Sequence, residues 1–422
     1  MIQSWLMQFR EPNGRIDERR QLDWRYSPGQ LISRFSKAIT GSIDTPVRVA
    51  LAALVLSAIY LAARLLVAGK HDLGTFIVAG SSYVDSSKLP SRIPIISGSG
   101  YDGQFYYRLA LDPFSLATTH AGITLDTVFR EQRIAYPFLS WVVSLGMPRF
   151  VPAALVLVNL IAIALVAYFA SALAVLARKP AIAGLIIAAF PGYLFSIGRD
   201  LAEPTAAAFL LGSILAIRKR HGILAALALT ASVLTKETAL LVVGSIAIVW
   251  VANLFKDESQ RLESPPWYLW SAPLAAFVLW QVVVRNSAGH NALKSDVAGN
   301  LSIPFRAMAY GLLTHMEHPF ETANLVWLLQ LVALAIVVAT ALTKLRSRSI
   351  PLFVRISLVA MALLSVSLSS EIWSNNSNFR SLDLAWLLGW LALIFDTGGL
   401  PKWWPAAIIP TLFTGALLVV FV

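Results

Sequence analysis

A chain of 422 residues with 57% hydrophobic and only 14% charged side chains cannot cover a soluble globule of that size, which selects a polytopic membrane protein. The formal charge of +11 does not mark a nucleic-acid binder. The basic residues stand in short clusters between apolar runs, at Arg178-Lys179, at Arg218-Lys219-Arg220, and at Lys344, Arg346 and Arg348, as cytoplasmic loops do under the positive-inside bias. With no cysteine, disulfides and thiolate metal sites are excluded.

The first 47 residues are polar and basic and lack an apolar h-region, so they read as a cytoplasmic N-terminal segment rather than a cleaved signal. The first span, from about Pro46 to Val67, then serves as an uncleaved signal-anchor. Apolar runs follow at about 151–177, 181–197, 203–217, 222–236, 238–255, 267–285, 324–343, 350–369, 381–396 and 405–422. Several are shorter than the roughly 20 residues of a perpendicular span, and snorkelling Arg or Lys at their ends makes them usable. No internal repeat is visible in the sequence.

The run Ile134 to Gly146 breaks the pattern, being only roughly 20 Å long as a helix. If it crossed, Arg178-Lys179 and Arg218–Arg220 would face outward; if it lies in the outer interface or re-enters, every basic cluster falls inside. The second arrangement predicts an all-α protein of about eleven transmembrane helices with a large first outer loop, 69–150. Three segments follow: 1–47, a membrane module at 48–255, and a C-terminal module at 256–422 with an outer loop at 286–323. The polar breaks "GRDLAE" at 198–203, "TKET" at 235–238 and "SEIWSNNSNFR" at 370–380 then share the outer face.

On that face, Tyr101 to Phe114 predicts a short interfacial helix starting near Asp102 and ending at Pro113. Tyr101, Phe105, Leu109, Tyr106 and Ala110 fall on one side, with Gln104, Arg108 and Asp112 on the other. Asp102 is expected either as an N-cap or as a carboxylate base at the membrane surface. Arg199, Asp200 and Glu203 read as a snorkelling arginine with local acids, or as a binding group; Pro204 places Glu203 near a helix start.

Lys236-Glu237 interrupts an apolar run from Ile223 to Trp250, and an ionisable pair there marks a functional site by default. A lysine so placed suits an anionic headgroup. Arg130, Glu131, Arg133 and Tyr136 stand at the start of the short interfacial run, where an arginine binds headgroups. His290, His315 and His318 fall in the 286–323 loop, but no third ligand accompanies the His315-x-x-His318 spacing and no metal is expected there. The sequons at Asn300 and Asn375 carry glycans only in a eukaryotic secretory setting, and the Ala-, Leu- and Arg-rich composition suits a bacterium better.

Over roughly 48–255 these residues resemble the GT-C superfamily of membrane glycosyltransferases, which includes protein O-mannosyltransferases and the lipid A aminoarabinose transferase. The resemblance rests on "GYDGQFYYRLALDP" after the first span, "RIAYPFLSWVVSLG" closing the loop, "LAVLARKP", "GRDLAEP" and "LTKET" in that order. It implies a GT-C-like fold with juxtamembrane helices in the first loop, and Asp102 as the catalytic carboxylate, acting as base. The family often pairs two acids there, whereas Gly103 and Gln104 follow Asp102, so no divalent metal is expected. The lysine that some members carry before the proline is absent, leaving Arg133 as the nearest base.

The resemblance further implies transfer of a sugar from a polyprenyl-phosphate donor to a glycan, lipid or protein acceptor on the outer face of the plasma (inner) membrane, with inversion. Lys236, Arg199 and Arg133 would stabilise the leaving phosphate. Arg108, Tyr101, Tyr136, Glu203 and Glu237 complete the expected substrate-binding set. Two alternatives are a flippase or transporter of lipid-linked sugar, which would favour charges near the midplane and repeated halves, and a polysaccharide polymerase.

Overall fold

The computed structural model describes residues 44–67, 71–256, 265–288 and 299–420. The expectations for the N-terminal segment before residue 44 and for His290 lie outside the described residues. The chain is an all-α, multi-pass membrane protein. Among the described residues six helices are long and apolar enough to cross a bilayer, and three shorter apolar helices accompany them.

Helix α1 (Pro46–Val67) leads into the first loop, which holds α2 (Gly103–Leu111) and α3 (Ala135–Val143). The loop also carries two small sheet elements that the sequence reading does not anticipate. Ala79–Gly80 pairs in parallel with Ile95–Ile96, and Thr119–His120 pairs antiparallel with Ile123–Thr124. The loop has a core of its own, in which Ile77, Tyr107, Ala110 and Ile123 pack with Leu155 and Leu201.

After the loop come α4 (Val151–Leu176), α5 (Pro191–Ile197), α6 (Glu203–Arg218), α7 (Gly222–Thr235) and α8 (Leu240–Leu254). The second half contributes α9 (Tyr268–Ala288), α10 (Arg306–Glu317), α11 (Thr322–Thr343), α12 (Leu352–Val366), α13 (Asp383–Phe395) and α14 (Ile409–Val420). The expected run at 181–197 is not one helix. Pro191 cannot donate into a preceding turn, and the chain bends between Leu185–Ala188 and α5.

Two ends of the bundle differ in chemistry. At one end, Arg218 lies over the Phe395 ring at 5.7 Å, Lys344 pairs with Asp396 at 3.5 Å, and Lys179 donates to the Gly398 carbonyl. The three basic clusters are therefore gathered together. Helices α6 and α13 both run from the opposite end, where Glu203 and Asp383 both face Lys236. Helix α3 is nine residues, about 14 Å, too short to cross a hydrocarbon core of about 30 Å. Its Phe138 and Trp141 instead form an aromatic cluster with Phe114, which is 70% exposed. Of these, Trp141 is of the amphipathic type that settles at headgroup depth.

Helix α2 corrects the expectation of an interfacial helix: all nine of its residues are buried. Tyr107 and Arg108, on different faces, are both fully enclosed because the loop's strands and α3 wrap the helix. Asp102 precedes the helix in αR conformation and makes no side-chain capping bond, so the cap role is not how its carboxylate is used.

Candidate functional site

Close backbone packing brings the polar segments together. At Gly103, an added Cβ would meet the Arg199 carbonyl oxygen at 2.4 Å and that of Ile77 at 2.7 Å. Only glycine allows the start of α2 to press on the turn before α6, which sets Asp102 near Glu203. Gly192 does the same on the other side, since a Cβ there would stand 2.6 Å from Arg380 Cα. Asp200 turns the chain with φ of 52°, a left-handed conformation that Asp tolerates better than most residues.

The result is a chain of ion pairs. Arg380 donates through Nη2 to Asp102 Oδ2 at 2.6 Å and through Nη1 to Glu203 Oε1. Arg130 Nη2 lies 3.0 Å from Asp102 Oδ1 and also holds Asp126 through Nε at 3.0 Å. Lys236 Nζ donates to Asp383 at 2.9 Å and lies 3.6 Å from Glu203, which also accepts from Ser196 at 3.0 Å. Lys236 is the extended residue between α7 and the short turn before α8, so the helix break itself turns its side chain into the bundle. Its neighbour Glu237 points elsewhere, accepting the Arg133 fork at 2.7 and 2.9 Å and Gln132 at 3.2 Å.

Burial raises the cost of holding these charges, and their partners offset it. Desolvation would push the Asp102 carboxyl up, but Arg130, Arg380 and Arg133 outweigh it and hold the pKa at about 2. Asp200 is the opposite case. Both its oxygens are buried without a hydrogen-bond partner, and desolvation pushes its carboxyl well above the usual range. Desolvation also raises Glu131, to about 7, with Arg108 only partly offsetting it.

These side chains border a cavity of about 680 Å³. Asp102, Arg130, Arg133, Lys236, Glu237 and Arg380 line it on the charged side. Tyr101, Tyr83, Phe105 and Phe129 supply aromatic faces, and Asn300, Glu371, Asn375 and Asn378 bring amides and a carboxylate from the second half of the chain. Tyr101 donates to Asn378 at 3.0 Å, and the guanidiniums of Arg199 and Arg380 stand over its ring at 4.6 and 5.5 Å. The arrangement offers a carboxylate, several cations, stacking surfaces and hydrogen-bonding amides in one chamber. That set can bind a group combining an anion with a polyhydroxylated ring.

The expected site residues divide. Asp102, Tyr101, Arg133, Lys236 and Glu237 line the cavity, and Glu203 stands directly behind it through Arg380 and Lys236. Arg199 pairs with no acid among the described residues and reaches the site only through the Tyr101 ring. Arg108 turns away, donating to the Ser115 and Ala117 carbonyls. Tyr136 is fully buried in the loop core, donating to Leu155 and accepting from Asn159 at 2.8 Å. His315 stacks on Trp327 at 4.1 Å, with its Nδ1 2.7 Å from the Gly311 carbonyl oxygen.

Of two central residues, Arg380 enters the sequence reading only as the last residue of the 370–380 break, and Asp383 does not enter it. Asp383 opens the otherwise apolar helix α13, by the same criterion that singles out Lys236, whereas Arg380 stands in the polar turn Asn376–Leu382 just before it. No group of three or more acidic or histidine residues among those described is placed to hold a metal. No protein-family model matches the chain, and no similar protein was found among curated ones.

Proposed function

We propose that the protein is an inverting glycosyltransferase of GT-C type that takes a sugar from a polyprenyl-phosphate donor. In this reading the chain crosses the plasma (inner) membrane about eleven times, with its N-terminus and basic clusters in the cytoplasm and the ionic cavity on the outer face. The observation that carries the proposal is Asp102 in a cavity shared with Arg130, Arg133, Lys236 and Arg380, at the bundle end opposite the basic clusters.

The acceptor oxygen attacks the anomeric carbon as the bond from that carbon to the phosphate oxygen breaks. The acceptor's proton passes to Asp102, and polyprenyl phosphate leaves with the electron pair. Attack and departure on opposite faces invert the centre. In the present pairing Asp102 is a weak base, because Arg130 and Arg380 stabilise its charge. A donor phosphate competes for those guanidiniums, and each contact it takes from Asp102 raises the basicity of the carboxylate at the moment it is needed. Lys236 and Arg133 supply further positive charge toward the leaving group.

Binding of polyprenyl phosphate and of uncharged polyprenol to the purified protein tests the reading. Preference for the phosphate that falls with Arg130→Ala supports it. Equal binding of both lipids contradicts it.

A further inference from the structure

A second cavity, of about 710 Å³, shares no lining residue with the ionic one. It follows α6, bordered by α4 and α7, from Thr205 down to Lys219, a path of about 21 Å at 1.5 Å per residue. Leu139 and Val143 of α3 close one end, and Lys219 and His221 stand at the other. Small residues on α6, Ala208, Gly212 and Ala216, leave the room that Phe169 and Phe209 border. Leu224 and Leu227, 59% and 64% exposed, make one edge, so the groove opens sideways toward hydrocarbon.

A ligand that fits must be long, apolar and flexible, and must enter from the bilayer. It must also place a polar, negatively charged group at the basic end, where Lys219 makes no ion pair among the described residues and Arg218 and Arg220 adjoin it. A second copy of this chain filling the groove would carry Lys219 into an apolar contact, at a desolvation cost that a lipid headgroup avoids.

We propose that this groove is a binding site for an anionic phospholipid of the leaflet at the basic end, an acyl chain lying along α6 and the phosphate on Lys219 and His221. The proposal stands independently of the transferase reading, since it uses neither the ionic cavity nor any residue in it.

The test is native mass spectrometry of the delipidated full-length protein titrated with phosphatidylglycerol or phosphatidylcholine. Phosphatidylglycerol should be retained at about tenfold lower concentration, a margin set by roughly one to two basic contacts at the membrane surface. The Lys219→Glu/His221→Glu double variant should lose that preference. Arg348→Glu, at the same end but outside the groove, should keep it. Ala228→Trp, filling the groove, should weaken retention of both lipids. The proposal fails if the parent shows no preference, if the double variant keeps it, or if the protein instead forms a lipid-free dimer that Ala228→Trp dissociates.

Discussion

Arg380 and Asp102 stand 278 positions apart in the chain and meet at 2.6 Å, with the same guanidinium holding Glu203 through its other nitrogen. One side chain thus ties the start of α13 to the first loop and to the start of α6. Removing it leaves Asp102 with Arg130 alone and Glu203 with only Lys236, 3.6 Å away, so two buried carboxylates lose their shared and nearest cation. Arg380→Ala is expected to destabilise the fold by about 3–5 kcal/mol, and Arg380→Lys to recover only part of that because an ammonium cannot fork to both acids. Unfolding of the detergent-solubilised variants measures it; an Arg380→Ala protein as stable as the parent contradicts the tie.

Lys236 and Asp383 form the second tie. Both are nearly enclosed, and the contact is 2.9 Å. Lys236→Met strands the buried Asp383 and Asp383→Asn leaves Lys236 only the more distant Glu203 at 3.6 Å, whereas the double variant removes both members of the pair. The coupling energy in a double-mutant cycle should fall on the order of 1–3 kcal/mol. Additive effects would show that the pair is not coupled. Lys236→Ala should also weaken binding of the polyprenyl-phosphate donor by ten- to a hundredfold, the scale of a lost charge-assisted contact.

Much of this site was readable from the sequence because charge inside an apolar run is costly and must be used. That argument singles out Lys236 and Glu237, while Glu203 and Asp102 come from the shared outer face and the resemblance. Arg108 and Tyr136, expected in the same set, turn into the loop core instead. The spacing along α2 cannot report that the loop's strands and α3 enclose the helix from every side. The short α3 is legible from its length alone, and the break at Pro191 from the proline. The pairing of Asp102 with Arg380 was not, since it depends on backbone contacts at Gly103 and Gly192 between distant segments.

Glu131 predicts a pH dependence. Desolvation raises its carboxyl from the ordinary 4.5 to about 7, so folding favours the protonated form. The stability it permits is complete below about pH 4.5 and is lost as pH rises through about 7. Glu131→Gln should therefore flatten the stability profile over that window and gain on the order of 2–3 kcal/mol at pH 8. Asp102 acts oppositely: with its pKa held at about 2 against an ordinary 3.8, its contribution is present above about pH 4 and lost as pH falls through about 2. Urea unfolding at stepped pH reads both, and a Glu131→Gln profile parallel to the parent's would sink the first.

The gathering of Lys179, Arg218 and Lys344 around residues 395–398 predicts the membrane topology. Reporters fused after Arg220 and after Arg348 should both be cytoplasmic, and one inserted near Ala202 should be external. An external signal at Arg220 would mean that the chain crosses at Ile134–Gly146 after all.

The most direct measurement of the central claim is sugar transfer by Asp102→Asn beside Asp112→Asn. Asparagine keeps the size of Asp102, while Arg130 and Arg380 retain Asp126 and Glu203 as partners, so the fold should persist. Asp112 accepts from the Phe114 backbone at 3.0 Å and stands 3.9 Å from His120 near the loop surface, away from the cavity. The account predicts that Asp102→Asn binds polyprenyl phosphate yet loses transfer by roughly two to four orders of magnitude, the scale of general-base loss, with Asp112→Asn near the parent. Full transfer by a folded Asp102→Asn protein would contradict it.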